Sequence, residues 1–413
     1  MTDSIIGSRV SAPVRGHSAL SRVIAVEADD FADRYWGREP LVSRADDLPG
    51  SVADLFGVAA VDELVSQRGL RAPFLRVAKN GTTYGDRDFT DSGGVGAAVA
   101  DQVSDDKLLN LFAGGATLVL QGLHRTWPAL IAFSQQLAGE LGHPVQANAY
   151  VTPAQNTGFS DHYDVHDVFV IQVSGEKTWR VRPPVQTAPL RDDPWSNHRV
   201  AVERAATEPP LLEFTLRPGD CLYLPRGFLH SATALGGVST HLTLGVHVWT
   251  RRHLADELLA LAITRASRDE SLRTSLPALA DASDASVIND DVEIARAALV
   301  RALADLDVAD VARAMATRVR RSQRAAPVAP VAQTLDAAQL GERDGIRLRA
   351  HLAATLTAVS EGAVVRSRVA DFRLSSAEVE AVSSLLSQGS AAVTELGLEL
   401  SRRLVLAGIA VRD

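Results

Sequence analysis

The spacing of hydrophobic positions changes along the chain, and the changes divide it. Up to about residue 142, apolar residues recur mostly at helical intervals, with short strand-like pieces between. Residues 18 to 60 read as short helices around FADRYWGREPLVSR, where Phe31, Tyr35 and Trp36 lie at helical spacing and are expected to face a core. Residues 71 to 90 place Asn80 and Gly81 between strand-like segments, a hairpin signal. From 103 to 113 a short helix gives way to Gly114 and Gly115 and then to ATLVLQGL, a buried strand. Trp127 to Leu141 is again helical in period and stops at Gly142.

The period then shortens. VQANAYVTP, VHDVFVIQV, TWRVRPP, EFTLRPGDCLYLP and STHLTLGVHVWT read as successive strands punctuated by Gly and Pro, which predicts a sandwich or barrel. From Arg251 the helical period returns over 251–266 and 291–324, in Ala-, Leu- and Arg-rich sequence. The second stretch ends in Arg318, Arg320, Arg321 and Arg324, charges that suit a helix C-terminus better than a nucleic-acid contact. APVAPVAQ (326–333) reads as a linker. The remainder alternates helical stretches with strand-like AVVRSR, as in a small helical domain with a β-wing.

At 413 residues there is room for two or three domains, and 46% hydrophobic with 22% charged residues is ordinary for a globular chain. No apolar run is long enough to span a membrane. The first residues lack the apolar segment of a signal peptide, so a cytoplasmic location is expected. The single cysteine, Cys221, excludes an intramolecular disulfide and sits in CLYL as a small core residue rather than a nucleophile. A formal charge of −8 argues against nucleic acid as partner. Cations are nearly all arginine; Lys79, Lys107 and Lys177 are the only lysines.

The candidate chemistry lies where the strands begin. His162, Tyr163 and Asp164 form an H-x-D triplet that opens the apolar run Val165 to Val173, and residues two apart on a strand or its leading turn point to the same side. A second histidine would complete the two-histidine, one-carboxylate set that suits non-haem Fe(II). His230 is positioned for this: in LRPGDCLYLPRGFLHSA, Pro218-Gly219-Asp220 turns the chain, a strand follows, and Pro225-Arg226-Gly227 precedes the histidine, as in the second motif of a cupin. His166 shares the parity of the pair and is expected behind the ligands or facing substrate. His241 and His247 fall on the last strand and could line the cavity.

Taken in order, FADRYWGREPLV, NAYVTP, HYDVHDVFVIQVSGEKTWR, LRPGDCLYLPRGFLHSA and STHLTL resemble the JmjC-type ribosomal oxygenases of the cupin superfamily, over roughly residues 20 to 250. The resemblance implies an α+β chain. Residues 1–250 would form a JmjC/cupin oxygenase domain, with a double-stranded β-helix core at about 110–250. Residues 251–325 would form a helical dimerisation region, and 334–413 a winged-helix-like domain. It also implies an Fe(II)- and 2-oxoglutarate-dependent hydroxylase acting on arginine or histidine of a ribosomal protein or other peptide, the two targets being undecided by any residue here. By position, His162, Asp164 and His230 match the iron ligands, and Lys177 matches the cation that meets the distal carboxylate of 2-oxoglutarate. Asn148, Tyr150 and Thr243 match polar residues of the same pocket. Two rivals stay open: a metal cupin that only binds peptide, and a metal-cupin enzyme that uses no 2-oxo acid.

Overall fold

The computed structural model describes residues 18–413 apart from 80, 97, 155, 157–159 and 280. It is a mixed helix and sheet structure built around one nine-stranded sheet. Its strands are β1 (Leu41–Ser43), β2 (Leu75–Lys79), β3 (Thr82–Thr83), β4 (Thr117–Leu120), β5 (Val145–Thr152), β6 (Asp167–Arg182), β7 (Leu212–Leu216), β8 (Cys221–Leu224) and β9 (Leu229–Val246). They lie in the order β1-β8-β6-β9-β5-β4-β2-β3, with β7 paired to β6.

Two long strands carry the architecture. β9 pairs with β6 over Leu229–Leu235 against Arg182–Glu176, and again over Thr240–Val246 against Ser174–Asp167. VHDVFVIQV and TWRVRPP were expected as separate strands, but they are one. Gly175 lets the chain bend instead of stopping: its φ is +63°, and a Cβ there would collide with the Val238 carbonyl. In the same way, STHLTL is not a separate strand but the continuation of the strand that starts beside His230.

The alternation along β6 serves two cores. Phe169 and Ile171 join a large cluster with Ala147 and Ala149 of β5, Tyr223 of β8, Leu242 and Leu244 of β9, and Leu130, Phe133 and Leu137 from helix Pro128–Leu141. Val168 and Val170 point the other way, into a cluster with Trp179, Val181, Leu216, Leu222 and Leu224. Val168, Val170 and Trp179 of that second cluster also line a cavity.

The helix Pro128–Leu141 ends as its sequence indicates, with Gly142 at φ +72°. Phe31 is buried against Phe169 and Tyr223, and Trp36 stacks on Tyr223 and His143. The hairpin of β2 and β3 forms, while Asn80 at its tip lies outside the described residues.

Beyond the sheet, Arg251–Ala266 is one helix, but the stretch expected at 291–324 is two, Ala285–Ala304 and Val308–Ser322. Asp307 starts the second by accepting from Ala309 N at 3.0 Å, a side-chain N-cap. Nor is 326–333 a free linker. Ala325 is buried, Gln135 donates to the Arg324 and Ala325 carbonyls, Arg349 donates to the Ala326 carbonyl, and a helix begins at Pro330. The C-terminal part packs its own core, including Ile346, Val382, Leu385, Leu404 and Ile409, with two three-stranded sheets. No helix among the described residues is long and apolar enough to cross a membrane.

Candidate metal centre

The two segments that carry the histidine–carboxylate chemistry are held together rung by rung. His162 and His230 exchange backbone hydrogen bonds, His162 N to His230 O at 3.2 Å and His230 N to His162 O at 2.9 Å. Gly227 N donates to Asp164 O at 3.0 Å. Asp167, fully buried, accepts from Arg226 N at 3.1 Å, from its guanidinium at 3.3 Å, and from the Tyr223 hydroxyl at 2.6 Å. Gly227 has φ +91°, and a Cβ would strike the Gln186 carbonyl, so the Pro225–Phe228 turn needs glycine there.

This ladder brings one ligand atom from each of His162, Asp164 and His230 within 4.8 Å of the others. The imidazoles are oriented for a metal. His162 Nδ1 lies 2.8 Å from Ser160 O, and His230 Nδ1 lies 3.1 Å from Phe228 O. A carbonyl only accepts, so each Nδ1 carries the proton and each Nε2 presents its lone pair. His230 Nε2 stands 3.7 Å from Asp164 Oδ2. Burial, then the His162 ring, pushes His230 down to about 4, so it is neutral near pH 7. Burial would raise the Asp164 carboxyl, but His166, His230, His162 and Arg76 outweigh it and keep the group below its ordinary range. Two imidazoles and a carboxylate on one side form the donor set of a non-haem Fe(II) site, so the residues fit that ion.

The cavity beside this cluster is lined by Tyr150, Thr152, Lys177, Trp179, His241 and Thr243, among others. Lys177 is only 4% exposed, and no carboxylate meets it among the described residues. Its amine donates to Thr152 Oγ1 at 3.1 Å and lies 3.3 Å from His241 Nδ1. Burial lowers its pKa to about 7. Burial, then the Asp164 charge, pushes the Tyr150 phenol up to about 12.

Most residues singled out in sequence meet here. Tyr150, Lys177 and Thr243 line the cavity with the three metal-type residues, and His241 joins them. Asn148 lies across from Thr243 in the β5–β9 register, but its carbonyl oxygen accepts from Gly122 N at 3.1 Å, and it is not among the residues lining the cavity. His166 stacks on His247 at 5.2 Å between centroids. Cys221 is buried in β8, where burial raises its thiol pKa, as suits a core residue. The Asp167–Arg226–Tyr223 network and Thr152 escaped the sequence reading. The parity of β5, which puts Thr152 beside Tyr150, could have found the latter.

Residues 129–254 match the family model described as the JmjC domain. This chain carries a JmjC domain. The likeness to individual proteins runs over longer stretches than this match. Ribosomal oxygenase 2 of Rattus norvegicus is 30% identical over 271 residues, 62% of this chain and 53% of that protein. Ribosomal oxygenase 1 of Gallus gallus is 32% identical over 255 residues, 60% of this chain and 40% of that protein. The chain thus spans about half the length of the first relative and less of the second. Among solved structures, YcfD, a ribosomal oxygenase from Escherichia coli in complex with cobalt and 2-oxoglutarate, superposes with a TM-score of 0.52 at 15% identity, over 95% of this chain and 99% of that one. At that identity the match shows a shared fold. The JmjC match covers β5 to β9, and hence every residue of the metal-type cluster.

Proposed function

We propose that this protein is an Fe(II)- and 2-oxoglutarate-dependent oxygenase that hydroxylates an arginine or histidine side chain of a ribosomal protein or similar peptide. The observation that carries the reading is Lys177: a buried amine without a carboxylate partner among the described residues, in the same cavity as the His162–Asp164–His230 cluster. A buried cation is costly unless an anion meets it, and a 2-oxo acid with a far carboxylate supplies one. A metal cupin without a 2-oxo acid has no use for that arrangement. The cobalt and 2-oxoglutarate named for YcfD, and the ribosomal-oxygenase names of the relatives, support the same choice.

In this reading His162, Asp164 and His230 would hold the ion at the cavity wall. When bound, iron with 2-oxoglutarate and dioxygen supplies the oxidising power for hydroxylation. The chain does the rest. Ser160 O and Phe228 O fix the two rings through Nδ1–H, Lys177 and Thr243 receive the distal carboxylate, and Val168, Val170 and Trp179 keep bulk water out. Tyr150, a protonated phenol near pH 7, is a donor on the same wall.

The finer features belong to the same proposal. Helices within 251–325 expose Leu254, Leu259, Ile263, Val292 and Ile294, apolar surface through which we read a homodimer. Residues 334–413 we read as winged-helix-like, and the location as cytoplasmic. A monomer mass by light scattering at micromolar concentration would sink the dimer. The function itself is tested by mass spectrometry of ribosomal proteins from cells with and without the gene. A peptide heavier by one oxygen atom only when the gene is present is the expected result. Identical peptides, together with no substrate-stimulated 2-oxoglutarate turnover by the iron-loaded protein, would leave the binding-module alternative.

A further inference from the structure

His241 is a buried imidazole, 4% exposed, that takes no part in the metal-type cluster yet lines the cavity. Its placement depends on an irregularity in β9. The β9–β6 register shifts between Thr240 and His241, so that Thr240 faces Ser174 while His241 faces Gln172. Such a shift re-aims side chains. On its other side His241 pairs directly with Tyr150 of β5, and the two rings stack at 4.9 Å and 3°. Trp179 closes on the ring edge-on at 5.5 Å. Held between a stack and an edge contact, the imidazole has little freedom to turn, and Nδ1 lies 3.3 Å from Lys177 Nζ.

In its protonated form, the one that meets a carboxylate, the amine can only donate, so Nδ1 is then the acceptor and the ring proton sits on Nε2. The second acceptor of the amine, Thr152 Oγ1, is itself held by Thr117 Oγ1 at 3.3 Å. Both partners of Lys177 are therefore neutral. They fix the direction of the amine while leaving its positive charge uncancelled, and two of its three N–H groups are used. A carboxylate in place of either would discharge the site before any ligand arrived.

We propose that His241 is a positioning residue for Lys177: through Nδ1 it aims the ammonium so that the cavity prefers 2-oxo acids bearing a distal carboxylate. The inference rests on the 2-oxoglutarate reading above. It separates two roles within one wall of the cavity, with Lys177 supplying charge and His241 supplying direction. Burial, then the neighbouring Lys177, holds the His241 pKa well below its ordinary value, which keeps the ring a neutral acceptor.

The test compares two ligands on the full chain loaded with Co(II). One is 2-oxoglutarate; the other is 2-oxopentanoate, of equal carbon length but without the distal carboxylate. Binding is followed by tryptophan fluorescence, since Trp179 touches both His241 and His230. His241→Phe keeps an aromatic ring for the stack and removes the acceptor. It should weaken 2-oxoglutarate about tenfold, the range of one hydrogen bond to a charged group, and leave 2-oxopentanoate unchanged. His241→Asn, which returns an acceptor near the Nδ1 position, should restore most of the preference. Should the Phe variant fail to fold, His241→Gln, whose amide reaches beyond the Nδ1 position, carries the same expectation. A wild-type preference ratio in His241→Phe, or equal weakening of both ligands, would overturn the positioning role. Equal affinities in the wild type would overturn the 2-oxoglutarate reading itself, and this inference with it.

Discussion

Replacing Asp167 by alanine should damage stability and metal binding together, because one carboxylate serves both. Asp167 is fully buried and accepts three hydrogen bonds, from Tyr223 Oη, Arg226 N and Arg226 Nη1. The Arg226 side chain is 16% exposed, and its Nε is already buried without a partner. Without the carboxylate, a guanidinium is left in the interior with nothing to balance it. Breaking a buried pair in this way costs about 3–5 kcal/mol, which is a large part of the stability of an ordinary domain. The same carboxylate pins the turn that leads to His230, so metal affinity should fall about ten- to hundredfold, as for other groups that orient metal ligands.

Urea unfolding gives the first quantity, provided the slope is unchanged, and Co(II) titration by visible absorption gives the second. The double variant Asp167→Leu with Arg226→Met removes both charges and should recover much of the stability, since buried pairs contribute little beyond an apolar replacement. It should not recover the metal affinity, because the hydrogen bond from Arg226 N to the carboxylate is still missing. An Asp167→Ala protein within about 1 kcal/mol of wild type, the ordinary scale of a point substitution, would refute the reasoning.

Three further outcomes follow from the site and the sheet. Asp164→Ala should abolish iron-dependent 2-oxoglutarate turnover with the circular dichroism spectrum preserved; retention of both iron and turnover would remove Asp164 from the ligand set. Lys177→Ala should weaken 2-oxoglutarate binding roughly ten- to hundredfold with metal affinity little changed, while Lys177→Arg recovers only part of it; equal affinities by calorimetry would deny the amine this role. Asp220 is buried, which alone would raise its pKa, but donors from Arg217 N, Ala45 N and Arg44 outweigh burial and lower it. Its stabilising effect is therefore complete above the unfolded carboxyl value of about 4 and is lost as pH falls through the lower folded value. Asp220→Asn should flatten the acid limb of the stability profile, and an unchanged limb would show that the lowered pKa contributes nothing.

Features carried by local period and local chemistry were legible in the chain before any fold was known. The helix over Pro128–Leu141 with its glycine stop, the buried strand at Thr117–Leu120, and the parity of His162 and Asp164 all depend on residues a few positions apart. His230 was reachable because its turn, Pro225-Arg226-Gly227, is a local signal too. Tertiary structure decided what depends on distant partners. Whether Gly175 ends a strand or bends it is settled by Val238, some sixty residues on and packed against it. Whether 326–333 is a loose tether depends on Gln135, which holds the Arg324 and Ala325 carbonyls just before it, and on Arg349, which holds the Ala326 carbonyl. The sequence left an exposed turn open for Lys177; its burial follows from its side chain entering the cavity, against Thr152 of β5 and His241 of β9. The acceptor role of His241 was the least accessible of all, since a one-residue shift of register between β9 and β6 sets where its ring points, and no pattern of single residues encodes that shift.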